Sequence, residues 1–389
     1  MKKLYYILFC LFLIILCYAI WANSSRTTSA KCIYPRYVIG EVENIGTNAG
    51  KGNVIALSPY LRSYNFSSED AFYSMHRYYF SILKQKKLLN DSSIILLPEY
   101  IGTWLVVANE KKAVWQDTSL EHAMKILVSS NLASFGMACL NSSADDKTKE
   151  AIFKMKADKM LDIYQSTFSK LAKEFKVTIV AGSIVLPNPT VKNGNIEIDK
   201  SGKLYNISAV FDYNGKVLSP LTKKFFLIND EKSFTTTATK NEIPVYKTNA
   251  GNLAVLICAD SWYPESYTQL ENKQVDILAV PSFVSQNNSW SNKWKGYNGA
   301  PTPSDVNSSD INNITEHDAW IKYAMVGRSM KTDIKTNVNV FLRGNLWDLG
   351  SDGNTLVLTS KYSKPLNIPS VFEANNKLEK TGSIINVWL

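Results

Sequence analysis

Three side chains at the ends of apolar segments could together carry out covalent acyl transfer. Glu99 ends the run SIILLPE, Cys258 ends the run LAVLIC, and Lys224 lies in the strand that follows Gly215. A cysteine attacks as its thiolate, so it needs a base nearby that can remove its proton. A buried lysine can stabilise the oxyanion that forms on the attacked carbon. These three residue types are therefore sufficient for acyl transfer.

Each of the three residues also has an ordinary structural explanation. Cys258 could be a small buried hydrophobic residue, and Glu99 could be a solvated loop residue after Leu-Pro. Lys223 and Lys224 could form a surface pair whose aliphatic stems lie on the protein. A functional site is favoured by their shared placement at strand ends, because the carboxyl edge of an α/β sheet is rigid yet open.

The elements that must position these residues alternate between strand and helix. Apolar strands are predicted at 54–60, 93–97, 177–185, 252–258, 275–282 and 337–343. Helices are predicted after Ser67, over 150–175 and near 318–332, where apolar residues recur three and four positions apart. An Asn214-Gly215 turn predicts a hairpin. This alternation predicts a layered α/β domain.

The chain begins with a segment that predicts membrane insertion or export. Residues 4–22 carry no charge, and nineteen helical residues span about 28 Å, close to the hydrocarbon core of a bilayer. Lys2 and Lys3 would stay in the cytoplasm, which places the rest outside it. The predicted organisation is an anchor or signal segment at 1–22, a polar tether at 23–52 and one domain at 53–389. The segment is either an uncleaved single-pass anchor or a signal whose removal leaves a secreted or periplasmic protein.

Composition argues against several other classes of function. The 43 Lys and Arg exceed the 34 Asp and Glu by nine, yet no long basic run suggests a nucleic-acid partner. His76, His122 and His317 are far apart and there is no CxxC pair, which argues against a metal site. In an oxidising compartment Cys32 and Cys139 could form a disulfide, or both could stay reduced.

Several motifs give the chain a resemblance to a known family. LLPEY surrounds Glu99, TKKFFLINDE contains Lys224, and LAVLICADSWYPE contains Cys258. With LAKEFKVTIVAGSIV, LYNISAVFDYNGKV and VDILAVPSF, these segments resemble, in order, the nitrilase superfamily of carbon–nitrogen hydrolases, which use a Glu-Lys-Cys triad. The resemblance covers roughly residues 54–360. Its register selects Lys224 over Lys223, with Glu231 seven places later.

The resemblance implies a four-layer αββα sandwich and a mechanism without cofactor or metal. Glu99 would accept the proton of Cys258, and Lys224 would stabilise the tetrahedral intermediate. Glu231 would orient the lysine or assist proton transfer. The expected substrate is a small carboxamide or carbamoyl compound, and a homo-oligomer is allowed. The alternatives are an N-acyltransferase of the apolipoprotein N-acyltransferase type and a non-catalytic binding module.

Some positions near the motifs match the family and others depart from it. Asp260 and Glu265 match residues around the nucleophile. Ala259 stands where relatives usually carry a bulky residue, which predicts an enlarged or reshaped pocket. Arg328 is present in a later helix, but Lys331 falls where an acid is expected. The supporting contacts around Arg328 are therefore expected to differ from those of relatives.

The segment 286–315 is longer than the corresponding connection in the family. It is polar but contains Trp290, Trp294 and Tyr297. These aromatic residues could line the mouth of a substrate pocket, or the segment could be a disordered polar loop.

Overall fold

The computed structural model describes residues 2–27, 38–238, 243–359, 370–373 and 380–389. The α-helices within these ranges are α1 (Lys2–Asn23), α2 (Glu69–Gln85), α3 (Lys112–Gln116), α4 (Leu120–Ser129), α5 (Leu132–Leu140), α6 (Lys147–Phe175), α7 (Asn229–Lys232), α8 (Pro264–Thr268), α9 (Glu316–Tyr323) and α10 (Met325–Ser329).

The β-strands form two large sheets and smaller ribbons. In chain order they are β1 (Ile39–Ile45), β2 (Asn53–Ser58), β3 (Tyr60–Arg62), β4 (Ser93–Leu96), β5 (Thr178–Val180), β6 (Ile184–Pro187), β7 (Thr190–Lys192), β8 (Asn195–Glu197), β9 (Leu204–Ser208), β10 (Val210–Phe211), β11 (Thr222–Lys223), β12 (Val245–Thr248), β13 (Gly251–Val255), β14 (Ile277–Ser282), β15 (Thr336–Phe341), β16 (Arg343–Asn345), β17 (Leu356–Thr359), β18 (Ser370–Glu373) and β19 (Gly382–Trp388). One six-stranded sheet has the order β1-β19-β2-β4-β5-β10, and the other has the order β12-β13-β14-β15-β17-β18.

The two six-stranded sheets pack face to face through a layer of aliphatic side chains. Val54 and Ile94 from the first sheet share this layer with Val255, Ala279 and Val338 from the second. All five side chains are almost completely buried. Strands buried on both faces need apolar residues at nearly every position, which explains the unbroken apolar runs in the sequence.

Helices cover the outer face of each sheet. α2 and α6 pack on the first sheet through Phe72, Tyr79 and Phe168, while α9 and α10 cover the second sheet through Trp320 and Met325. The predicted αββα sandwich, preceded by one apolar N-terminal helix, is thus confirmed.

Local features differ from the sequence predictions in three helical regions. The side chain of Ser68, not Ser67, caps α2, because its backbone is extended and its hydroxyl accepts the N–H of Ala71. The helix predicted near 318–332 is two short helices that meet at Ala324, whose extended backbone ends α9. The helix predicted at 150–175 begins earlier, at Lys147.

Part of the predicted polar tether belongs to the sheet. Ile39–Ile45 forms β1, which pairs in parallel with β19 at the edge of the first sheet. Its few apolar residues are separated by Gly and Glu, so the polar composition of the surrounding stretch gave no sign of a short edge strand. Residues 28–37 lie outside the described part of the chain, and with them Cys32, so its pairing with Cys139 stays a prediction.

Candidate active site

Three separate strands bring Glu99, Lys224 and Cys258 to one place. Glu99 follows β4 of the first sheet, Cys258 follows β13 of the second, and Lys224 follows β11. β11 pairs with β9 in a three-stranded sheet that also contains β6. Glu99 and Lys224 are each 1% exposed and Cys258 is 8% exposed. The three candidate catalytic side chains are therefore almost completely buried.

Lys224 lies between two carboxylates. Its Nζ is 2.8 Å from Oε1 of Glu99 and 2.8 Å from Oε2 of Glu231. The side-chain amide of Asn206 donates to Oε1 of Glu99 at 3.0 Å and to Oε1 of Glu231 at 3.1 Å. The Tyr100 hydroxyl also donates to Glu231. This network fixes the lysine, because a buried charge is tolerated only when it is paired and hydrogen-bonded.

The surroundings shift the pKa values of these groups in opposite directions. Burial raises the pKa of Glu99, since the charge of Lys224 compensates only in part. Burial also favours neutral Glu231, but Lys224, with the hydrogen bonds from Tyr100 and the Ile228 backbone, lowers the pKa of Glu231. Burial would lower the pKa of Lys224, yet Glu231 and Glu99 raise it well above its ordinary value. The lysine therefore stays charged.

The thiol of Cys258 is neutral at rest. Burial raises its pKa well above the ordinary value, and Glu99 adds to this effect, so the positive charge of Lys224 does not suffice to form the thiolate. The charge of Lys224 by itself favours the thiolate, but burial has the larger effect on the pKa of the thiol. Deprotonation must therefore accompany attack, which requires a base beside the sulfur.

The backbone at Cys258 has a conformation that is unusual for a non-glycine residue. Its φ is +48°, and a 3-10 turn over Cys258–Trp262 follows directly. The Ser261 hydroxyl donates to the Cys258 carbonyl at 2.7 Å, which helps to hold the turn. Such left-handed residues are favoured at sites where a side chain must be presented at a sharp turn.

Asp260 joins the cysteine turn to the lysine segment. Its Oδ1 accepts the backbone N–H groups of Phe225 at 3.0 Å and Phe226 at 2.7 Å, and its Oδ2 accepts that of Ile257 at 3.3 Å. Burial raises the pKa of Asp260 to about 7, although these N–H groups and Lys224 act in the other direction. One side chain thus fixes the chain next to both Lys224 and Cys258.

We expect Asp260→Ala to lower the stability of the fold and to disturb the site. Three N–H groups, of which that of Phe226 is only partly buried, would lose their acceptor, and each unsatisfied buried group costs about 1–3 kcal/mol. The free energy of unfolding, measured with denaturant, should therefore fall by about 3 kcal/mol or more. The matched control is Asp276→Ala, which removes an aspartate whose side chain is 40% exposed. An equal loss in both variants would contradict this role for Asp260.

A cavity of about 350 Å³ opens onto the three residues. Its walls are mainly apolar and aromatic, and include Trp104, Met124, Phe153, Phe234 and Leu349. Its polar groups, besides those of the buried cluster, come from side chains such as those of Lys149, Asp230 and Ser285. An apolar cleft of this size with a few polar groups is typical of sites for small molecules.

The other residues predicted for the site lie outside this cavity. Ala259 is buried and does not line it, and the enlarged or reshaped pocket stays a prediction. Glu265 is exposed on α8. Lys223 faces away from the cluster, with its Nζ 4.3 Å from the centre of the Tyr205 ring. The register that selected Lys224 over Lys223 therefore agrees with the geometry.

The long segment 286–315 is ordered and packs on the outer side of the second sheet. Trp294 is 2% exposed and stacks on Trp262, while Tyr297 packs edge-on against the same ring. Neither lines the cavity beside Cys258. The segment is therefore neither a disordered loop nor a lining of the pocket mouth at these two residues. It forms an aromatic cluster that supports the cysteine turn.

Arg328 forms an ion pair with an acidic residue of this long segment. Its guanidinium is bonded to the carboxylate of Asp305 and donates at 3.0 Å to the carbonyl of Trp262. Lys331 also lies 3.5 Å from Asp305. An acid from the loop thus takes the place of the one expected at 331. Arg328 itself links α10 to the cysteine turn through the Trp262 carbonyl.

Two residues of the buried cluster were not predicted from the sequence. Asn206 lies in β9 and Tyr100 directly follows Glu99. A polar asparagine in a buried strand was a signal for Asn206, because such a residue needs polar partners. Tyr100 has positive φ, which no sequence pattern indicated. Within the described ranges no group of three or more His, Cys, Asp or Glu could hold a metal ion.

Comparison with known proteins relates this geometry to one family. Residues 83–299, more than half of the chain and including Glu99, Lys224 and Cys258, match the carbon-nitrogen hydrolase family model. A relative from Synechocystis sp., named deaminated glutathione amidase, is 32% identical over 120 residues. That match covers 29% of this chain and 41% of the relative, so the chain spans less than half of the relative's length.

Solved structures show the same fold. A cysteine-to-serine mutant of the Nesterenkonia AN1 amidase, from the nitrilase superfamily, superposes with a TM-score of 0.51 at 13% identity. The comparison covers 88% of this chain and 93% of that one. The Nesterenkonia sp. amidase in another crystal structure gives a TM-score of 0.50, also at 13% identity, over 87% and 90% of the two chains. With its fold and more than half of its sequence matching, the chain belongs to the carbon–nitrogen hydrolase family.

Proposed function

We propose that this protein hydrolyses a non-peptide carbon–nitrogen bond of a small carboxamide or carbamoyl compound through a thioester on Cys258. The observation that carries the proposal is the convergence of a turn-mounted cysteine, a carboxyl group with raised pKa and a doubly paired lysine at one cavity. A nucleophile, a base and an oxyanion-stabilising cation in contact are the minimal set for acyl transfer.

The reaction follows from the positions of these groups. Glu99 accepts the proton of Cys258 as the sulfur attacks the carbonyl carbon and forms a C–S bond. The oxyanion is stabilised by the charge of Lys224 and by the backbone N–H of Ala259. Glu99 then returns its proton to the leaving nitrogen as the C–N bond breaks. A water molecule, deprotonated by Glu99, hydrolyses the thioester and releases the acid.

Glu231 acts on this reaction through Lys224. Its pKa is lowered, so it remains a carboxylate that keeps the lysine charged. The hydrogen bonds from Tyr100 and Asn206 hold it in place. Asn206 also bonds to Glu99, which limits the positions that the base can adopt. Glu231 is therefore a positioning residue in this proposal, whereas Glu99 performs the proton transfers.

The cavity walls favour a substrate with an apolar group next to the amide. Trp104, Met124 and Phe153 contribute apolar walls, and no arginine among the residues that the structure describes lines the cavity. Burial of apolar surface contributes about 25 cal/mol per Å², so such walls reward an aliphatic or aromatic acyl group.

The proposal also includes anchoring of the protein in a membrane by α1. This helix is long and apolar enough to cross a bilayer, a property it shares with signal sequences. Its cationic start at Lys2 and Lys3 supports a cytoplasmic N-terminus and a catalytic domain on the extracytoplasmic side. Retention of the helix in protein purified from membranes, measured by intact mass, tests this part.

Trapping the acyl group on Cys258 tests the proposed reaction directly. The protein is mixed with a panel of amides of increasing acyl length, quenched with acid and weighed intact. We expect an adduct on Cys258 whose mass equals the acyl group, with greater occupancy for apolar acyl groups. Transfer of that group to an added amine in preference to water would favour an N-acyltransferase. No adduct with any amide or activated ester would contradict the proposal.

The pH dependence of kcat/KM provides a second test. Glu99 must be ionised to accept the thiol proton, and its pKa is raised by burial. Activity should therefore be lost on acidification at a pH above the ordinary pKa of a glutamate. Thermal unfolding over the same pH range separates this effect from loss of the fold. An acidic limb at the ordinary glutamate pKa would argue against Glu99 as the base.

A further inference from the structure

The short helix α5 exposes an uncharged apolar face. None of its nine residues is buried. Leu132, Met137 and Leu140 are 52%, 62% and 87% exposed, and Ala133, Met137 and Leu140 follow one another at four and three residues on one side of the helix. The opposite side, with Phe135, packs against the domain core. An exposed apolar patch of this kind marks a surface that contacts another phase or molecule.

The end of α1 is joined to the start of α5. The hydroxyl of Tyr18 donates to the carbonyl of Ser129 at 3.1 Å and accepts the N–H of Leu132, also at 3.1 Å. Tyr18 and Trp21 lie in the last two turns of α1, whose 22 residues span about 33 Å. Tyrosine and tryptophan at the end of a spanning helix sit at the level of the lipid headgroups. α5 therefore begins at that level.

A set of ion pairs makes this junction firm. Arg26, three residues beyond α1, is 2.8 Å from the fully buried carboxylate of Glu110, which also binds Lys156 at 2.6 Å. Lys111 donates to the carbonyl of Trp21 at 2.5 Å. Buried and mutually bonded charges of this kind hold one geometry, because their loss would leave a charge unpaired. The chain that leaves α1 is fixed to the domain up to Thr27.

The neighbouring helix α4 belongs to the protein and not to the apolar surface. α4 and α5 meet at an angle of 96°, and together they are apolar enough to pass for a broken membrane span. However, Ala123 and Leu127 of α4 are completely buried in the core. Its outer side carries the exposed ion pair Glu121–Lys125. Of these two helices, α5 is therefore the one that offers an apolar face to lipid.

We propose that α5 lies on the bilayer that α1 spans, with Met137 and Leu140 inserted among the lipid headgroups and upper acyl chains. This inference rests on the anchoring part of the proposed function. A helix with an exposed apolar face and a fixed link to a spanning helix is suited to such an interfacial position. The occupant of this face is therefore lipid from the same membrane.

The contact would also fix the position of the active-site cavity. α4 lines the cavity through Leu120 and Met124 and ends about 8 Å further along its axis, at Ser129, three residues before α5 begins. The cavity wall and the lipid contact thus belong to two consecutive helices. The mouth next to α4 would be held close to the membrane surface.

Photocrosslinking to lipid tests the proposal on the full-length protein. The chain, with benzoylphenylalanine at the position of Met137, is reconstituted in phosphatidylcholine nanodiscs and irradiated. The matched control has the same group at Lys331, whose side chain is 71% exposed on the far side of the sandwich. We expect the lipid adduct at 137 to exceed that at 331 by about 10-fold or more, as for a residue inserted at the interface. Thermal unfolding verifies that both proteins are folded.

A third position separates this proposal from the anchor itself. Ile14, in the middle of α1, should give a lipid adduct if α1 spans the bilayer. An adduct at 14 with none above the control level at 137 would overturn the interfacial position of α5 and leave the anchor intact. Absence of lipid adducts at both positions would overturn both. A crosslinked dimer through position 137 would assign the face to a second copy of the chain and overturn the lipid contact.

Discussion

Cys258→Ala is expected to abolish amide hydrolysis while the protein remains folded. Without the sulfur no thioester can form, and the neighbouring groups alone do not supply a nucleophile. Loss of the nucleophile in enzymes that act through a covalent intermediate lowers kcat by about 10⁴-fold or more. The fold should survive, because only one small side chain that is 8% exposed is removed. Steady-state rates over an amide panel and the unfolding temperature measure the two effects.

Removing a thiol elsewhere gives the matched control for this experiment. Cys139→Ala removes a partly exposed thiol on α5. Because this thiol does not line the cavity, the variant should retain hydrolysis. The Cys258→Ala protein should also still bind amides, since the cavity walls are unchanged. Full activity of Cys258→Ala would rule out the thioester mechanism. Equal inactivation of both variants would point to a general effect of thiol loss.

Lys224→Met is expected to lower both activity and stability. The substitution leaves Glu99 and Glu231 side by side without their shared cation, and breaking a buried ion pair costs about 3–5 kcal/mol. The oxyanion also loses its positive partner, so hydrolysis should fall by about 100-fold or more. Denaturant unfolding and kcat measure the two losses.

The stability deficit of Lys224→Met should depend on pH. Without the cation, burial and mutual repulsion raise the pKa values of the two carboxyl groups above their unfolded values. Carboxyl groups with raised pKa are least costly to the fold when protonated, at pH below the unfolded pKa. The deficit should therefore grow as the pH rises from there through the raised folded pKa.

The adjacent lysine provides a control with the same backbone. Lys223→Met removes a half-buried lysine that lies over the Tyr205 ring, an interaction worth about 0.5–1 kcal/mol. It should change neither kcat nor the pH dependence of stability appreciably. If Lys223→Met were the inactive variant, the assignment of Lys224 to the oxyanion would be wrong.

The sequence predicted the layers of the fold because strands buried on both faces leave an unmistakable composition. SIILL and LAVLIC are almost entirely apolar, and the side chains that reach the cavity lie just after the first run, at Glu99, and at the end of the second, at Cys258. The helix that ends at Phe175 was equally clear from its periodicity. Local features with weaker signals were missed, such as the edge strand Ile39–Ile45 and the break at Ala324, where pairing and packing decide the outcome.

The contacts around the candidate site were less predictable than its three main residues. Strand ends and motif register pointed to Lys224, but the bonds from Asn206 and Tyr100 depend on how β9 and the turn after β4 meet in space. The partner of Arg328 came from Asp305, in a loop whose path no periodic pattern describes. Side chains that act across separate elements can be paired only once those elements are packed.

Glu99 and Cys258 come from two different sheets, so the thickness of the aliphatic layer between the sheets sets the distance between the base and the nucleophile. A relative shift of about 1 Å between a base and its nucleophile can cost about 100-fold in rate. Val255 and Val338 of this layer, neither of which lines the cavity, would therefore set the distance between sulfur and carboxylate. Loosening of this layer would therefore abolish activity before the protein unfolds. Loss of activity would then measure how well the two sheets are aligned.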